Sequence, residues 1–186
     1  MRTINRHFIL PMLFAFMAFM LITGPAQSAP VGGDHEVEIA GGFFHAQGSD
    51  SGSLNADLQL GHYLSPGWEI GFRQAVNYNF VDDGPDAWIA TTTPFLLYNF
   101  HLSDRFVPFV GVAAGAAWND KDVTGTLGPN AGIKIFLTDQ TYLGLRYRYE
   151  WFFNKFKRIN NNADQGNHVG TIGIGFVWGG ERKTTN

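Results

Sequence analysis

The chain has 186 residues, of which 45% are hydrophobic, 15% aromatic and 16% charged, with 23 Gly and no Cys. The Gly content exceeds the usual ~7% and the charged fraction is below the usual ~25%, which excludes a disordered chain or a coiled coil. The lack of Cys excludes disulfides and cysteine-based zinc sites. A net charge of -3 excludes the basic surface of a nucleic-acid-binding protein. A single β-rich domain remains.

The N-terminal residues 1–28 are typical of a secretory signal peptide. Arg2 and Arg6 precede an uncharged run over residues 8–22, which is shorter than the ~20 residues of a transmembrane helix. Small residues follow, and we expect cleavage after Ser28, with Ala26 as the second choice. An uncleaved N-terminal anchor is the competing interpretation. The mature protein is therefore predicted to be exported.

After residue 30, apolar and polar residues alternate with a period of two, which indicates half-buried β-strands. Trp68 and Phe72 share an apolar face that only Gln74 interrupts, whereas Glu69 and Arg73 lie on the other face. The same reading predicts strands at residues 34–45, 54–64, 68–80, 88–102, 106–118, 126–137, 142–153 and 168–178. In the strand at 106–118, Val and Ala occupy both faces, so its pattern does not decide which face points inward.

Short turns at 65–67, 103–105 and 138–140 alternate with longer polar connections at 47–53, 81–87, 119–125 and 154–167. A transmembrane β-barrel shows this alternation, since one side of the membrane has short turns and the other long loops. We therefore predict an all-β fold, an eight-stranded antiparallel up-and-down transmembrane β-barrel over residues 29–178, followed by a short polar tail at 179–186. A soluble β-barrel is the alternative.

Aromatic residues at the strand ends favour the membrane barrel. They follow the short turns or border the long connections: Trp68, Phe106, Tyr142, Phe80, Trp88, Trp118, Trp151 and Phe153. Two aromatic girdles of this kind mark the two interfaces of a membrane barrel. A soluble barrel gives no reason for them.

The polar faces of the predicted strands would then point into the barrel. They carry acids and bases in near balance: Glu36, Glu38, Asp57, Glu69, Glu150, Arg73, Lys134, Arg146 and Arg148. Eight strands leave an interior just wide enough for side chains to fill, and an unpaired charge there costs several kcal/mol of desolvation. We therefore predict a closed ion-pair network that plugs the lumen. The alternative is a gate, in which the same pairs exchange partners to open a small pore.

A basic cluster, Lys155, Lys157 and Arg158, follows the seventh predicted strand. These cations would lie at the level of lipopolysaccharide phosphates, to which charge-assisted contacts are strong. The sequence thus predicts outer-membrane lipid and lipopolysaccharide as partners, with an ordinary solvated loop as the alternative interpretation. Any extracellular ligand would bind at the loops, and we expect a monomer with no nucleic-acid partner.

The run Thr171-Ile-Gly173-Ile-Gly-Phe176-Val-Trp178 resembles the C-terminal recognition signal of outer-membrane barrels. Together with Phe106-Val-Pro-Phe-Val-Gly111 and Leu145-Arg-Tyr-Arg-Tyr149, it makes the chain similar to small barrels of the OmpA transmembrane-domain and OmpX/Ail type. The resemblance implies assembly by the barrel-assembly machinery, a place in the bacterial outer membrane, and a role in adhesion or envelope integrity. The tail after Trp178 departs from the pattern, since those barrels usually end on an aromatic residue.

A catalytic function is the most distant expectation. Outer-membrane lipid A hydrolases use a Ser-His-acid arrangement, yet no His-x-Ser motif lies on any predicted strand despite six His in the chain. We expect no catalytic residues, no metal and no cofactor. A structural or surface-interaction protein comes first, a small gated or porin-like pore second, and a lipid A-modifying hydrolase third.

Overall fold

The computed structural model describes residues 29–45, 52–80, 87–153 and 166–180. They form eight strands: β1 (His35–His45), β2 (Gly52–Tyr63), β3 (Trp68–Phe80), β4 (Ala87–Asn99), β5 (Phe106–Trp118), β6 (Val123–Phe136), β7 (Thr141–Phe152) and β8 (Gly166–Trp178). Each strand pairs antiparallel with the next, and β8 pairs with β1, so that the sheet closes into a barrel. The predicted eight-stranded up-and-down fold is confirmed. These residues contain no helix that is long and apolar enough to cross a membrane.

Two connections differ from the predicted lengths. The expected long connection at 119–125 is reduced to residues 119–122, because β6 already begins at Val123. The Asn119 side-chain oxygen accepts hydrogen bonds from the backbone N–H groups of Lys121 (2.9 Å) and Asp122 (2.8 Å), which closes this tight turn. Strict alternation of short and long connections is therefore wrong at this position.

On the opposite side of the barrel, β4 ends at Asn99 instead of residue 102, which lengthens the turn to residues 100–105. The Ser103 hydroxyl accepts hydrogen bonds from the backbone N–H groups of Arg105 (3.4 Å) and Phe106 (3.1 Å). A side chain that forms hydrogen bonds with nearby backbone groups competes with the hydrogen bonds between strands. For this reason β4 ends earlier than its apolar pattern predicts.

The outside of the barrel is apolar and the inside polar, the reverse of a soluble protein. Large hydrophobic side chains project outward from the middle of the strands: Leu58, Leu60, Ile70, Phe72, Val110, Val112, Ile172 and Ile174. Gln74, the interruption in this face, lies opposite Thr92 on β4, whose hydroxyl donates a 2.7 Å hydrogen bond to its side-chain oxygen. A polar cross-strand pair thus satisfies both groups on the outer wall.

Aromatic side chains surround both ends of the outer wall. Trp68 packs edge-on against Tyr98 with ring centroids 5.0 Å apart, and Trp88 packs against Trp118 at 5.6 Å. Tyr142, however, was expected in this girdle and is instead 0% exposed inside the barrel. It lies on the same face of β7 as Arg146. The alternation of the strand therefore decides that its side chain points inward, although the residue is next to a turn.

Both ends of the described chain meet at one rim of the barrel. The chain turns back at Gly33, whose φ of 91° favours glycine, and Ala29 packs beneath the lumen. The buried Asp34 carboxylate accepts hydrogen bonds from the backbone N–H of Val31 (2.9 Å) and of Gly180 (2.6 Å). One side chain therefore fastens the segment that enters β1 to the segment that leaves β8.

Candidate functional site

The candidate site is the polar lumen, which inward-facing residues of all eight strands line. The structure places the nine charged residues of the predicted network inside the barrel, each of them buried: Glu36, Glu38, Asp57, Glu69, Arg73, Lys134, Arg146, Arg148 and Glu150. Strand alternation explains this, because every second residue of a barrel strand faces inward. Eight of the nine residues form two ion-pair clusters, and Arg73 belongs to neither by direct contact.

The first cluster surrounds Lys134, which is 0% exposed. Its ammonium group lies 2.5 Å from Glu36 Oε2 and 2.8 Å from Glu69 Oε2, and it donates to the Tyr63 hydroxyl at 2.7 Å. These contacts use all three N–H donors of the lysine. The cation is thereby fully paired, and it ties β6 to β1, β2 and β3 across the lumen.

Tyr142 extends this cluster towards Arg146. Its hydroxyl oxygen lies 2.6 Å from Glu36 Oε1 and 2.7 Å from Glu38 Oε2, so the phenol bridges the two carboxylates. Arg146 pairs with Glu38 at 3.1 Å, and its guanidinium carbon lies 4.7 Å from the centre of the Phe109 ring. The Tyr142 hydroxyl therefore connects the Lys134 ion pairs to the separate ion pair of Glu38 with Arg146.

Neutral amides complete the hydrogen bonding of the acids in this first cluster. Gln59 Nε2 donates to Glu36 Oε1 at 3.3 Å, and Asn99 Nδ2 donates to Glu69 Oε2 at 3.1 Å. Buried carboxylates need several donors to offset the loss of hydration. The sequence reasoning missed Gln59, Asn99 and both tyrosines, although their inward positions on the polar faces were a sufficient signal.

The second cluster is centred on Arg148 of β7. Its guanidinium group makes a two-pronged contact with Asp57, in which Nη1 meets Oδ2 and Nη2 lies 3.0 Å from Oδ1. Its Nε donates to Glu150 Oε1 at 2.8 Å. A planar guanidinium group is suited to this fork geometry. Arg148 thus holds two acids, which leaves the cluster with an excess of one negative charge.

Arg73 of β3 is 1% exposed and forms no ion pair with the described residues. Its Nε and Nη1 atoms have no hydrogen-bond partner there, and neither does the Oγ1 atom of Thr93, which lies opposite it on β4. Glu150 Oε2 is likewise without a partner among the described residues. Buried polar groups of this kind are normally satisfied by water.

Apolar side chains also lie inside the barrel. At the rim near the chain ends, Tyr63, Val107, Phe136, Tyr142 and Val177 form one buried cluster, against which Ala29 packs. The strand whose pattern was undecided, β5, contributes Val107, Phe109, Ala113 and Ala117 to the interior. At this rim, packed apolar and aromatic side chains therefore lie beside the charged residues of the lumen.

The other predicted site residues lie elsewhere. On β8, Thr171 and Gly173 face the lumen, while Phe176 and Trp178 face outward with ring centroids 5.9 Å apart. The basic cluster Lys155, Lys157 and Arg158 lies outside the described residues. Within the described part of the chain, no group of three or more His, Asp or Glu residues is arranged to hold a metal ion.

Comparison with known proteins identifies the family of this lumen-forming barrel. Residues 12–179 match the family described as outer membrane protein beta-barrel domain. No curated protein matches the chain. Among solved structures, OprG from Pseudomonas aeruginosa is similar with a TM-score of 0.59 and 12% identity, covering 84% of this chain and 100% of that one.

Two further solved structures share the fold. Neisserial surface protein A has a TM-score of 0.54 and 13% identity over 77% of this chain and 94% of its own. The Yersinia pestis protein Ail, in a phospholipid nanodisc, has a TM-score of 0.53 and 13% identity over 78% of this chain and 99% of its own. The predicted resemblance to small eight-stranded outer-membrane barrels is confirmed. The chain belongs to the outer-membrane β-barrel family, and its place is the outer membrane.

Proposed function

We propose that this protein is a non-conducting barrel with a structural and surface-interaction role in the bacterial envelope. The carrying observation is the buried Lys134 cluster, which links β1, β2, β3 and β6 across the lumen. Tyr142 adds β7 to the same cluster through Glu36 and Glu38. Asn99 adds β4 through Glu69, so six of the eight strands are joined through one connected set of hydrogen bonds, which shares Tyr63 and Tyr142 with the packed apolar cluster.

The energy of this cluster supports a closed lumen. Removing one partner of a buried ion pair typically costs about 3–5 kcal/mol. A state that separates Lys134 from its two acids without new partners would be disfavoured by a similar amount. A difference of about 4 kcal/mol corresponds to a roughly thousandfold lower population. An open state would therefore be rare in the absence of a further stimulus.

Conductance across a planar lipid bilayer tests the proposal. We expect the mature wild-type barrel to give no stable conductance, and Lys134→Met to raise the frequency of current events because two carboxylates lose their cation. Lys121→Met, in the exposed turn 119–122, is the matched control and should behave like the wild type. A large, stable wild-type conductance would overturn the non-conducting role.

The second candidate function is a small gated pore, and Arg73 favours it. This buried cation has no direct ion pair in the described lumen, while Arg148 holds both Asp57 and Glu150. Movement of Glu150 from Arg148 to Arg73 would exchange one pair for another and widen the passage beside Arg148. If the barrel is a gated pore, Arg73→Met will change the rate of opening; if it is plugged, Arg73→Met will leave the membrane non-conducting.

The surface role, adhesion or envelope integrity, rests on the rigid barrel that supports the loops between strands. Ail, a similar barrel from Yersinia pestis, is named the attachment invasion locus protein. For this protein, a deletion strain is expected to lose binding to a surface that the wild type binds, or to become sensitive to detergent. A deletion strain that is normal in both respects would argue against the surface role.

The basic cluster Lys155, Lys157 and Arg158 is proposed to contact lipopolysaccharide, since it follows the outward-facing Trp151 and Phe153 along the chain. A variant with all three residues changed to Glu should bind lipopolysaccharide more weakly than the wild type. Equal affinity would favour an ordinary solvated loop. We further propose that the barrel is a monomer without catalytic activity, and product formation from purified lipopolysaccharide would refute the latter.

A further inference from the structure

Two histidines lie side by side on the outer wall of the barrel, at the rim where both chain ends meet. His35 of β1 is directly opposite His62 of β2 in the strand register, and it is also opposite Trp178 of β8. All three side chains point outward, because a residue next to each of them in the sequence is buried in the lumen. Three rings therefore form a row across three neighbouring strands.

The strand register holds the two imidazole rings close together. Their centroids are 4.8 Å apart with an angle of 38° between the ring planes, and the Trp178 ring lies 5.9 Å from His35. Residues directly opposite on antiparallel strands have Cβ atoms ~4.5–5.5 Å apart, so their side chains meet without any movement of the backbone. His35 is exposed and His62 is half-buried. The pair is thus fixed in position by the sheet and open to solutes on one side.

The imidazole nitrogens of this pair form no hydrogen bonds within the described part of the chain. The buried Nδ1 atom of His62 has no partner there, and His35 makes ring contacts only. His168, which also faces outward, differs in this respect, because its Nδ1 atom lies 2.6 Å from the Tyr147 hydroxyl. A neutral imidazole has one ring nitrogen with a free lone pair, which binds a proton donor or a metal ion. Both rings of the pair therefore keep a lone pair for a ligand.

The spacing of the two rings fits a shared metal ion. A metal–nitrogen bond of ~2.0–2.1 Å places the ion about 3.2 Å from the centroid of each ring that binds it. Two rings that bind one ion at an angle of ~90–110° then have centroids about 4.5–5.2 Å apart. The observed separation of 4.8 Å lies within this range. Because His35 is exposed, its ring can turn a nitrogen towards the ion without moving β1.

Water can reach the pair at this rim. His35 begins β1 and Trp178 ends β8, which places the pair at the level of the aromatic girdle, where the hydrocarbon gives way to water. Gly179 follows with a φ of 113°, and a Cβ atom there would lie 3.3 Å from the His35 ring. The lack of a side chain at this position leaves space beside the ring. Water molecules can therefore complete the coordination of an ion that two histidines hold.

We propose that His35 and His62 form a binding site for a divalent transition-metal ion such as Cu²⁺. Imidazole nitrogen suits such ions, and Cu²⁺ binds most tightly among the divalent ions of the first row. Closed structural sites have four protein ligands, so two histidines completed by water make an exchangeable site. The site departs from the expectation of no metal, because only the β1–β2 register brings the two histidines together. It lies outside the lumen and does not depend on whether the barrel conducts.

Titration of the mature barrel with Cu²⁺ tests the site. Detergent micelles are used because both rims are then open to solvent, and Cu²⁺ quenches the fluorescence of a nearby tryptophan. Trp178 is one of five tryptophans, so we expect a saturable loss of roughly one fifth of the fluorescence or more. Trp178→Phe should reduce this loss. Quenching that does not saturate would overturn the proposal, since it would reflect random collisions with the ion.

Single substitutions of the two histidines provide the matched comparison. His35→Gln and His62→Gln should each weaken Cu²⁺ binding roughly tenfold or more, because one imidazole alone cannot chelate the ion. The two variants lie on different strands, which guards against a local folding defect in one of them. His168→Gln removes an outward-facing histidine that is paired with Tyr147 and should bind Cu²⁺ like the wild type. Equal affinity in the wild type and both pair variants would overturn the proposal, and the two rings would then belong only to the aromatic girdle.

The stability of the barrel gives a second readout that does not depend on fluorescence. An ion that binds the folded pair more tightly than the unfolded chain stabilises the fold. Urea unfolding followed by circular dichroism should therefore show a higher midpoint for the wild type with Cu²⁺ than without it. In His62→Gln, Cu²⁺ should leave the midpoint unchanged. An equal rise in the wild type and His62→Gln would place the ion elsewhere and refute the two-histidine site.

Discussion

The sharpest energetic prediction concerns Lys134→Met. This change keeps the length and apolar volume of the side chain but removes the only cation that contacts Glu36 and Glu69 in the described lumen. The two acids then remain buried, supported by Tyr63, Tyr142 and the neighbouring amides. Breaking a buried pair from one side costs about 3–5 kcal/mol, and we expect a loss of folding free energy in this range.

Urea-induced unfolding of the barrel in lipid vesicles, followed by the fluorescence of its tryptophans, measures this loss. With a denaturant dependence of ~1–3 kcal/mol per M, a loss of about 4 kcal/mol lowers the midpoint by roughly 1–4 M. Lys121→Met removes an exposed lysine, and its effect should stay within about 0.5 kcal/mol. Neither result depends on any assumption about conductance.

A compensating variant separates lost charge balance from lost packing. Adding Glu36→Gln and Glu69→Gln to Lys134→Met removes the orphaned charges, and we expect at least half of the lost stability to return. A loss below about 1 kcal/mol in Lys134→Met would refute the reasoning, since the buried acids would then be tolerated without their cation. No recovery in the triple variant would assign the loss to packing instead.

The remaining predictions test single features of the barrel. Tyr142→Phe should cost about 1.5–3 kcal/mol in the same unfolding assay, because its hydroxyl bridges two carboxylates, and a change below 0.5 kcal/mol would contradict that bridge. Gly175→Ala should cost about 1–3 kcal/mol because its Cβ would lie 2.1 Å from the Tyr142 ring, whereas Gly170→Ala on the same strand meets open space and should be nearly neutral; equal effects would contradict the packing argument. Partial burial, and then the charge of Lys134, lower the pKa of His101 in the turn 100–105, so its NMR titration midpoint should lie below 6.5 and rise in Lys134→Met. The folded state disfavours protonated His101, whereas the unfolded state takes up the proton more readily. The contribution of His101 to the free energy of unfolding is therefore complete at pH values above the unfolded pKa and is lost as the pH falls through the folded pKa.

The fold could be predicted because strand alternation is a local property. Glu69 and Arg73 are four residues apart on one strand, so an even spacing alone assigns both to the same face. The errors arose where local side chains set the backbone, as with Asn119, whose turn shortens a connection, and Ser103, whose hydroxyl ends β4 early. Those bonds depend on detailed geometry that composition does not encode.

The sequence predicted which charged residues face the lumen, but it could not predict which acid pairs with which base. Lys134 and Glu36 are 98 positions apart, and only the register of eight strands brings them to one level of the barrel. The near balance of charge predicted one closed ion-pair network. Arg73 shows why that does not follow, since Arg148 can take two acids through one planar group and leave another cation without a direct partner.

The hydrogen bonds of Asp34 suggest that the order of the strands in the gene could be rearranged. The Asp34 carboxylate binds the backbone just before β1, at Val31, and just after β8, at Gly180. A short linker from Gly180 to Ala29 could therefore join the two ends. New ends placed in the turn 119–122 would give a circular permutant that keeps every strand pair while moving the Thr171–Trp178 signal to the middle of the chain. Such a permutant should still fold in detergent. Its delivery to the membrane in cells would then show whether a strand must come last in synthesis to be recognised, separately from whether it closes the barrel.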